Sequence, residues 1–191
     1  MKPIYVDNNA TTQVAPEVVE EMLPYFTQFY GNPSSMHTFG GNVAMKIKEA
    51  RARVAELLGA QPEEIVFTSS GTESDSTAIW AALRGNPEKR HLITSKVEHP
   101  AVKNLAEYLS RHGYRVTFVP VDGKGNLDLD YLYDHLSDDT ALVSLMWANN
   151  ETGVIFPIEE VAAEAHARGI VFHTDAVQAV GKIPIDLANN H

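Results

Sequence analysis

From Glu64 onward, short apolar runs alternate with stretches whose apolar residues recur every three or four positions. The runs at 65–67, 92–94, 116–119, 141–147 and 170–174 read as strands. Ile170-Val171-Phe172 is β-branched and aromatic without polar alternation, the pattern of a strand buried in a parallel sheet. The stretches 72–83, 100–111, 128–136 and 158–168 read as helices, with Pro100 opening one and Gly113 lying just beyond its end. Strand and helix in strict alternation predict an α/β fold, a mostly parallel sheet with helices on its faces.

The first third reads differently. Residues 1–15 hold the polar cluster Asp7-Asn8-Asn9-Ala10-Thr11-Thr12 and show no amphipathic period, which fits a surface loop or an N-terminal arm that reaches a site. Residues 16–191 form one domain. Pro16 opens a helix with Val18, Val19, Met22, Leu23 and Phe26 on its apolar face, and Pro24 is expected to end or kink it. Gly31-Asn32-Pro33-Ser34-Ser35 is a loop by its turn residues. A second helix carries Phe39, Val43, Ile47, Val54, Leu57 and Leu58, with Gly59 as its C-cap. The chain stops after the fifth strand, where a fold wound this way would continue. That predicts one part of a longer fold.

Composition narrows the partners. The chain has 191 residues, no cysteine and a formal net charge of −10. The acidic balance argues against nucleic-acid and anionic-membrane partners, which need basic surfaces. Without cysteine the chain offers neither a disulfide nor a thiol nucleophile. No apolar run resembles a signal peptide or a bilayer span, which makes the cytoplasm the default location. His37, His99 and His173 have no metal-ligand spacing, so no metal is assigned.

Four polar groups then follow four of the predicted strands. Thr68-Ser69-Ser70-Gly71-Thr72-Glu73-Ser74 lies at a strand-to-helix junction, where Gly71 and Thr72 offer N–H groups as a phosphate cradle. Ordinary capping by Ser70 or Thr72 explains the same residues. His99 sits between a strand and Pro100, placed to stack on a planar ligand or to move a proton, although a lone histidine is more often structural. Asn150 offers an amide, or else an Asx-turn. Asp175 ends the last strand and Gln178 follows it. A carboxylate at such an edge costs several kcal/mol to bury unless a cation meets it. Together the groups suit an anionic tail, a flat ring and a protonated ring nitrogen, the parts of pyridoxal phosphate.

The ordered motifs Tyr5-Val-Asp-Asn-Asn-Ala-Thr-Thr12, Gly31-Asn-Pro-Ser-Ser35, Phe67-Thr-Ser-Ser-Gly-Thr-Glu-Ser-Asp75, Glu98-His99-Pro100, Asn149-Asn-Glu-Thr-Gly153 and His173-Thr-Asp-Ala-Val-Gln178 carry a resemblance. Over essentially its whole length the chain resembles the N-terminal half of cysteine desulfurases of the nitrogen-fixation type, pyridoxal-phosphate enzymes of aminotransferase class V. The resemblance implies a type I pyridoxal-phosphate fold, incomplete at the C-terminus, and a homodimer. It implies that Gly71 and Thr72 hold the cofactor phosphate, that His99 stacks on the ring and takes part in proton transfer, and that Asp175 partners the ring nitrogen. Asn150 and Gln178 match amides beside the phenolic oxygen. The implied substrate is L-cysteine, and the implied sulfur acceptor is an iron–sulfur scaffold protein.

The departures matter too. The family's cofactor-binding lysine, its substrate-carboxylate arginine and its persulfide-forming cysteine belong to a C-terminal half that this sequence does not contain. Lys182 matches a different family position. The expectation is a portion that is not catalytically competent alone and that takes the missing half from elsewhere, for instance a second chain. A non-catalytic assembly module keeping the fold and dimer surface is the alternative, as is another class V reaction, such as that of a selenocysteine lyase or an aminotransferase.

Overall fold

The computed structural model describes residues 3–188, and these divide into two units. The first covers 3–66 and 185–188 and the second covers 67–184.

In the first unit, α1 (Pro16–Thr27) continues past Pro24. The proline removes one hydrogen bond from the ladder, yet its own carbonyl accepts from the N–H groups of both Gln28 and Phe29, at 2.7 and 2.9 Å. The helix therefore closes one turn after the proline rather than at it. α2 (Thr38–Leu58) starts where His37 Nδ1 accepts the N–H of Gly40 at 3.1 Å. It ends at Gly59, whose φ of 70° is the left-handed cap expected from the sequence. Ile65–Phe67, expected as a strand, pairs with no strand among the described residues. Ile65 is extended, but Val66 and Phe67 lie exposed. Apolar, β-branched composition records fitness for a pleated surface, and it makes no ladder without a neighbouring strand.

Gly40 is the tightest point of this unit. A Cβ there would stand 2.5 Å from Asn32 O and 2.9 Å from both Ser35 O and Ser35 Cβ, mostly backbone atoms that cannot swing aside. Gly41 next to it has open space. Gly40→Ala is expected to lower stability by about 2 kcal/mol through overpacking. Gly41→Ala should raise it by roughly 0.5–1 kcal/mol through helix propensity. Thermal melts of the two variants check the pair, and equal shifts would contradict the packing assigned to Gly40.

The second unit is the α/β fold expected from the alternation. Its elements are α3 (Gly71–Gly85), β1 (His91–Ser95), α4 (Pro100–Arg111), β2 (Arg115–Val119), α5 (Leu129–His135), β3 (Thr140–Met146), α6 (Ile158–Ala167) and β4 (Val171–Asp175). The four strands are all parallel, in the order β2-β1-β3-β4. Every residue of the central strands β1 and β3 is buried, whereas the edge strands β2 and β4 are partly exposed. One core cluster joins Ile79 and Leu83 of α3 to Val102, Ala106 and Leu109 of α4, over Leu92 of β1 and Ala141 and Leu142 of β3. The helical spacing of 102, 106 and 109 puts these residues on one face of α4.

The order of connections positions the site. From β1 the chain steps through α4 to β2 on one side. It then returns past β1 to β3 and continues outward through α6 to β4. Parallel crossovers are right-handed, so helices of opposite winding direction cover opposite faces. The winding reverses between β1 and β3, and their connections diverge there. Ligands of open parallel sheets bind in the crevice at such a reversal, beyond the carboxyl ends of the strands.

Candidate functional site

Each predicted residue of the site lies at this carboxyl edge or at the helix start beside it. Gly71 and Thr72 are the first two residues of α3. Ser70 is the N-cap, and its Oγ accepts the N–H of Glu73 at 3.3 Å. The Glu73 carboxylate accepts the Ser69 N–H at 2.7 Å and the Ser69 hydroxyl at 2.6 Å, and these bonds hold its pKa below the usual range. Capping and cradle, alternatives in the sequence, coexist here. The cap occupies the Glu73 N–H, while those of Gly71 and Thr72 belong to the first helical turn and have no intrahelical carbonyl to meet. They point a positive helix end toward an anion. A Cβ on Gly71 would lie 3.3 Å from Val177 Cγ2, so α3 begins directly against the turn that follows β4.

His99 is the N-cap of α4, and its Nδ1 accepts the Ala101 N–H at 3.1 Å. With Nδ1 as acceptor, the neutral ring carries its proton on Nε2, the nitrogen left to meet a ligand. The ring is exposed. Asn150 lies in the turn after β3, half-buried. The Asx-turn that the sequence allowed at Asn150 is made instead by its neighbour. Asn149 Oδ1 accepts from the N–H groups of Glu151 and Thr152 at 2.9 and 2.8 Å, and from the Thr152 hydroxyl at 3.1 Å. The Asn149 amide reaches back to Val97 O at 3.3 Å, tying the loop after β3 to the loop after β1.

Asp175 is the last residue of β4 and stands in register with Met146 at the end of β3. Its Oδ1 accepts the Val177 N–H at 3.0 Å, which fixes the carboxylate at the lip of the sheet. Gln178 lies in the turn beyond, where its amide oxygen accepts a short hydrogen bond from Lys182 Nζ. Lys182, set aside in the sequence, thus acts on a side chain of the site.

Two supporting groups had no role assigned from sequence. Glu98, beside His99, is buried. Its Oε1 accepts the Ser95 hydroxyl at 2.5 Å and the Met146 N–H at 3.1 Å, so one carboxyl joins the ends of β1 and β3 across the reversal. Its Oε2 is buried without a partner among the described residues. Burial, reinforced by the charge of Asp175, pushes its pKa up to about 7 against the pull of those hydrogen bonds. An acid following a predicted strand was the available signal, but sequence alone does not separate a buried acid from a solvated one. Asp75, one helical turn into α3, is the second.

The donor set fits pyridoxal phosphate. Unpaired N–H groups at a helix start suit its phosphate, and an acceptor-only carboxylate at the strand end suits a protonated ring nitrogen.

The chain is 59% identical over 187 residues to a cysteine desulfurase of Trichormus azollae, covering 98% of this chain and 47% of that protein. It is 59% identical over 191 residues to the cysteine desulfurase NifS of Azotobacter vinelandii, covering 100% of this chain and 48% of the relative. It spans about half the length of the curated relatives it matches. Among solved structures, a NifS-like protein superposes with a TM-score of 0.92 at 41% identity, over 97% of this chain and 52% of that chain. SspA in complex with cysteine superposes with a TM-score of 0.91 at 38% identity, over 96% of this chain and 53% of that chain. No helix among the described residues is long and apolar enough to cross a membrane. Residues 4–190 match the family described as aminotransferase class-V, and the chain belongs to that family.

Proposed function

We propose that this chain is the cofactor-binding portion of a cysteine desulfurase, which converts L-cysteine to L-alanine and passes the sulfur on as a persulfide for iron–sulfur cluster assembly. One observation carries the reading. Where the winding of the sheet reverses, β1, β3, β4 and the start of α3 bring anion donors, an imidazole, an amide and a carboxylate to one edge. The names of the close relatives support the choice of cysteine as substrate.

Bound pyridoxal phosphate would supply an electron sink for the carbon chemistry of an amino acid. The residues of this chain hold and bias it. Gly71 and Thr72 donate N–H groups to the phosphate. Asp175 keeps the ring nitrogen protonated, because the fixed carboxylate favours the charged form of a group beside it. His99 would lie against the ring, with Nε2 available to hold or move a proton. Asn150 and Gln178 would serve the phenolic-oxygen side. The chain has no cysteine, so the thiol that takes the sulfur comes from polypeptide outside these 191 residues. In this reading the enzyme is a cytoplasmic homodimer that delivers sulfur to a scaffold protein.

Titrating the purified chain with pyridoxal phosphate, followed by visible absorption, tests the reading. Saturable uptake is expected, weaker for pyridoxal without its phosphate, and L-cysteine should yield no sustained L-alanine. Absence of saturable uptake would overturn the cofactor assignment. Multiple turnovers would overturn the assignment of the thiol to other polypeptide.

A further inference from the structure

Beneath the site, a line of polar side chains crosses from α3 to the sheet. Asp75 of α3 and His173 of β4 stand with Oδ1 and Nε2 3.6 Å apart, their side chains only 7% and 14% exposed. Behind the ring, Ser144 Oγ of β3 lies 2.9 Å from His173 Nδ1. Ser144 is fully buried, so the line is no exposed nucleophile.

Its position is informative. Asp75 follows Gly71 by four residues and Thr72 by three, so it lies on the same face of α3, one turn deeper. His173 precedes Asp175 by two residues, so both lie on one face of β4. The pair therefore sits one step below the phosphate donors on one element and one step below the ring-nitrogen carboxylate on the other. α3 packs on both β3 and β4. The close approach of Gly71 to Val177 is a second contact, between the start of α3 and the turn that follows β4.

We propose that Asp75 and His173, backed by Ser144, are positioning residues that fix the start of α3 against the end of β4 and so set the separation between the two grips on the cofactor. The proposal rests on the pyridoxal-phosphate reading given above. Apolar side chains would join the two elements without the desolvation cost of buried polar groups, but they slide more freely. A buried polar contact specifies one register. Gly71 and Thr72 hold one end of a rigid ligand and Asp175 the other. An error in their spacing penalises only a ligand that must satisfy both.

The test compares three ligands on the full chain: pyridoxal phosphate, pyridoxal and inorganic phosphate. Only the first spans both grips. Asp75→Ala is expected to weaken pyridoxal phosphate binding about tenfold through lost effective concentration, while the two single-grip ligands change less than about twofold. Asp75→Asn keeps an acceptor facing His173 and should restore most of the affinity. A merely structural role would lower the melting temperature and leave the ratio of pyridoxal phosphate to pyridoxal affinity unchanged, which would overturn the proposal. If Asp75→Ala does not fold, Ser144→Ala reads the same ratio, with an expected shift of about threefold. Failure of the unmodified chain to take up pyridoxal phosphate would remove the functional reading, and this proposal with it. Uptake with an unmoved ratio in the variants would remove this proposal alone.

Discussion

Asp175→Asn is expected to lower the affinity of the chain for pyridoxal phosphate by roughly 10- to 100-fold, the equivalent of one charge-assisted hydrogen bond at about 1.5–3 kcal/mol. The asparagine keeps the geometry and removes the charge. Its amide oxygen can still accept the Val177 N–H that Asp175 Oδ1 accepts at 3.0 Å, so the turn after β4 and the melting temperature should change little. What disappears is the negative charge proposed to face the ring nitrogen. An amide neither raises the basicity of that nitrogen nor balances its proton. Asp175→Ala removes the turn contact as well. It should match the asparagine variant in affinity and fall below it in stability. Binding titrations followed by absorption, beside thermal melts, separate the two contributions. Wild-type affinity in Asp175→Asn would show that the carboxylate does not hold the ring nitrogen.

The sequence carried the second unit well because its signals there are local. β1, β3, α4 and α6 each show either a short, mostly apolar or β-branched run or a helical spacing, and Pro100 and Gly113 mark the ends of α4. The reversal between β1 and β3 is not local. Strand order depends on which runs pair, and no residue of the chain states that. Ile65–Phe67 failed for the same reason, since its composition suits a strand but the four-stranded sheet does not include it. The placement of His99, Asn150 and Asp175 at one edge followed from counting strand ends, whereas Gly71 and Thr72 were counted from the expected strand at 65–67 and lie there as the first residues of α3. The roles within each polar cluster did not. Asn149 rather than Asn150 makes the turn, because Asn149 is the one turned into the interior, where its amide meets Val97 O. Likewise Ser70 rather than Thr72 caps α3, which leaves the first two N–H groups for a ligand.

The pairing of burial with charge that sequence could not show yields the second large effect. Glu98→Gln is expected to stabilise the chain at alkaline pH and to be nearly neutral in acid. The Glu98 carboxyl is pushed up to about 7 in the folded chain, against an ordinary value of 4.5, first by burial and further by the charge of Asp175. The raised value means that folding favours the protonated acid. Its contribution is fully present below pH 4.5 and is lost as pH rises through about 7. A difference of that size corresponds to about 3 kcal/mol. Glutamine is the neutral isostere. Its oxygen can accept from the Ser95 hydroxyl and the Met146 N–H, as Oε1 does at 2.5 and 3.1 Å. Its amide nitrogen would take the place of Oε2, which is buried without a partner among the described residues whether or not it bears a proton. The two chains should therefore melt together near pH 4.5 and diverge progressively above it, with glutamine the more stable by several degrees at pH 8. Other titrating groups, such as the buried His91, are common to both and cancel in the difference. A gap independent of pH would refute the protonated, buried state of Glu98. Because the Asp175 charge adds to the effect, repeating the comparison in an Asp175→Asn background should shrink the gap without abolishing it. An unchanged gap there would place the whole effect in desolvation.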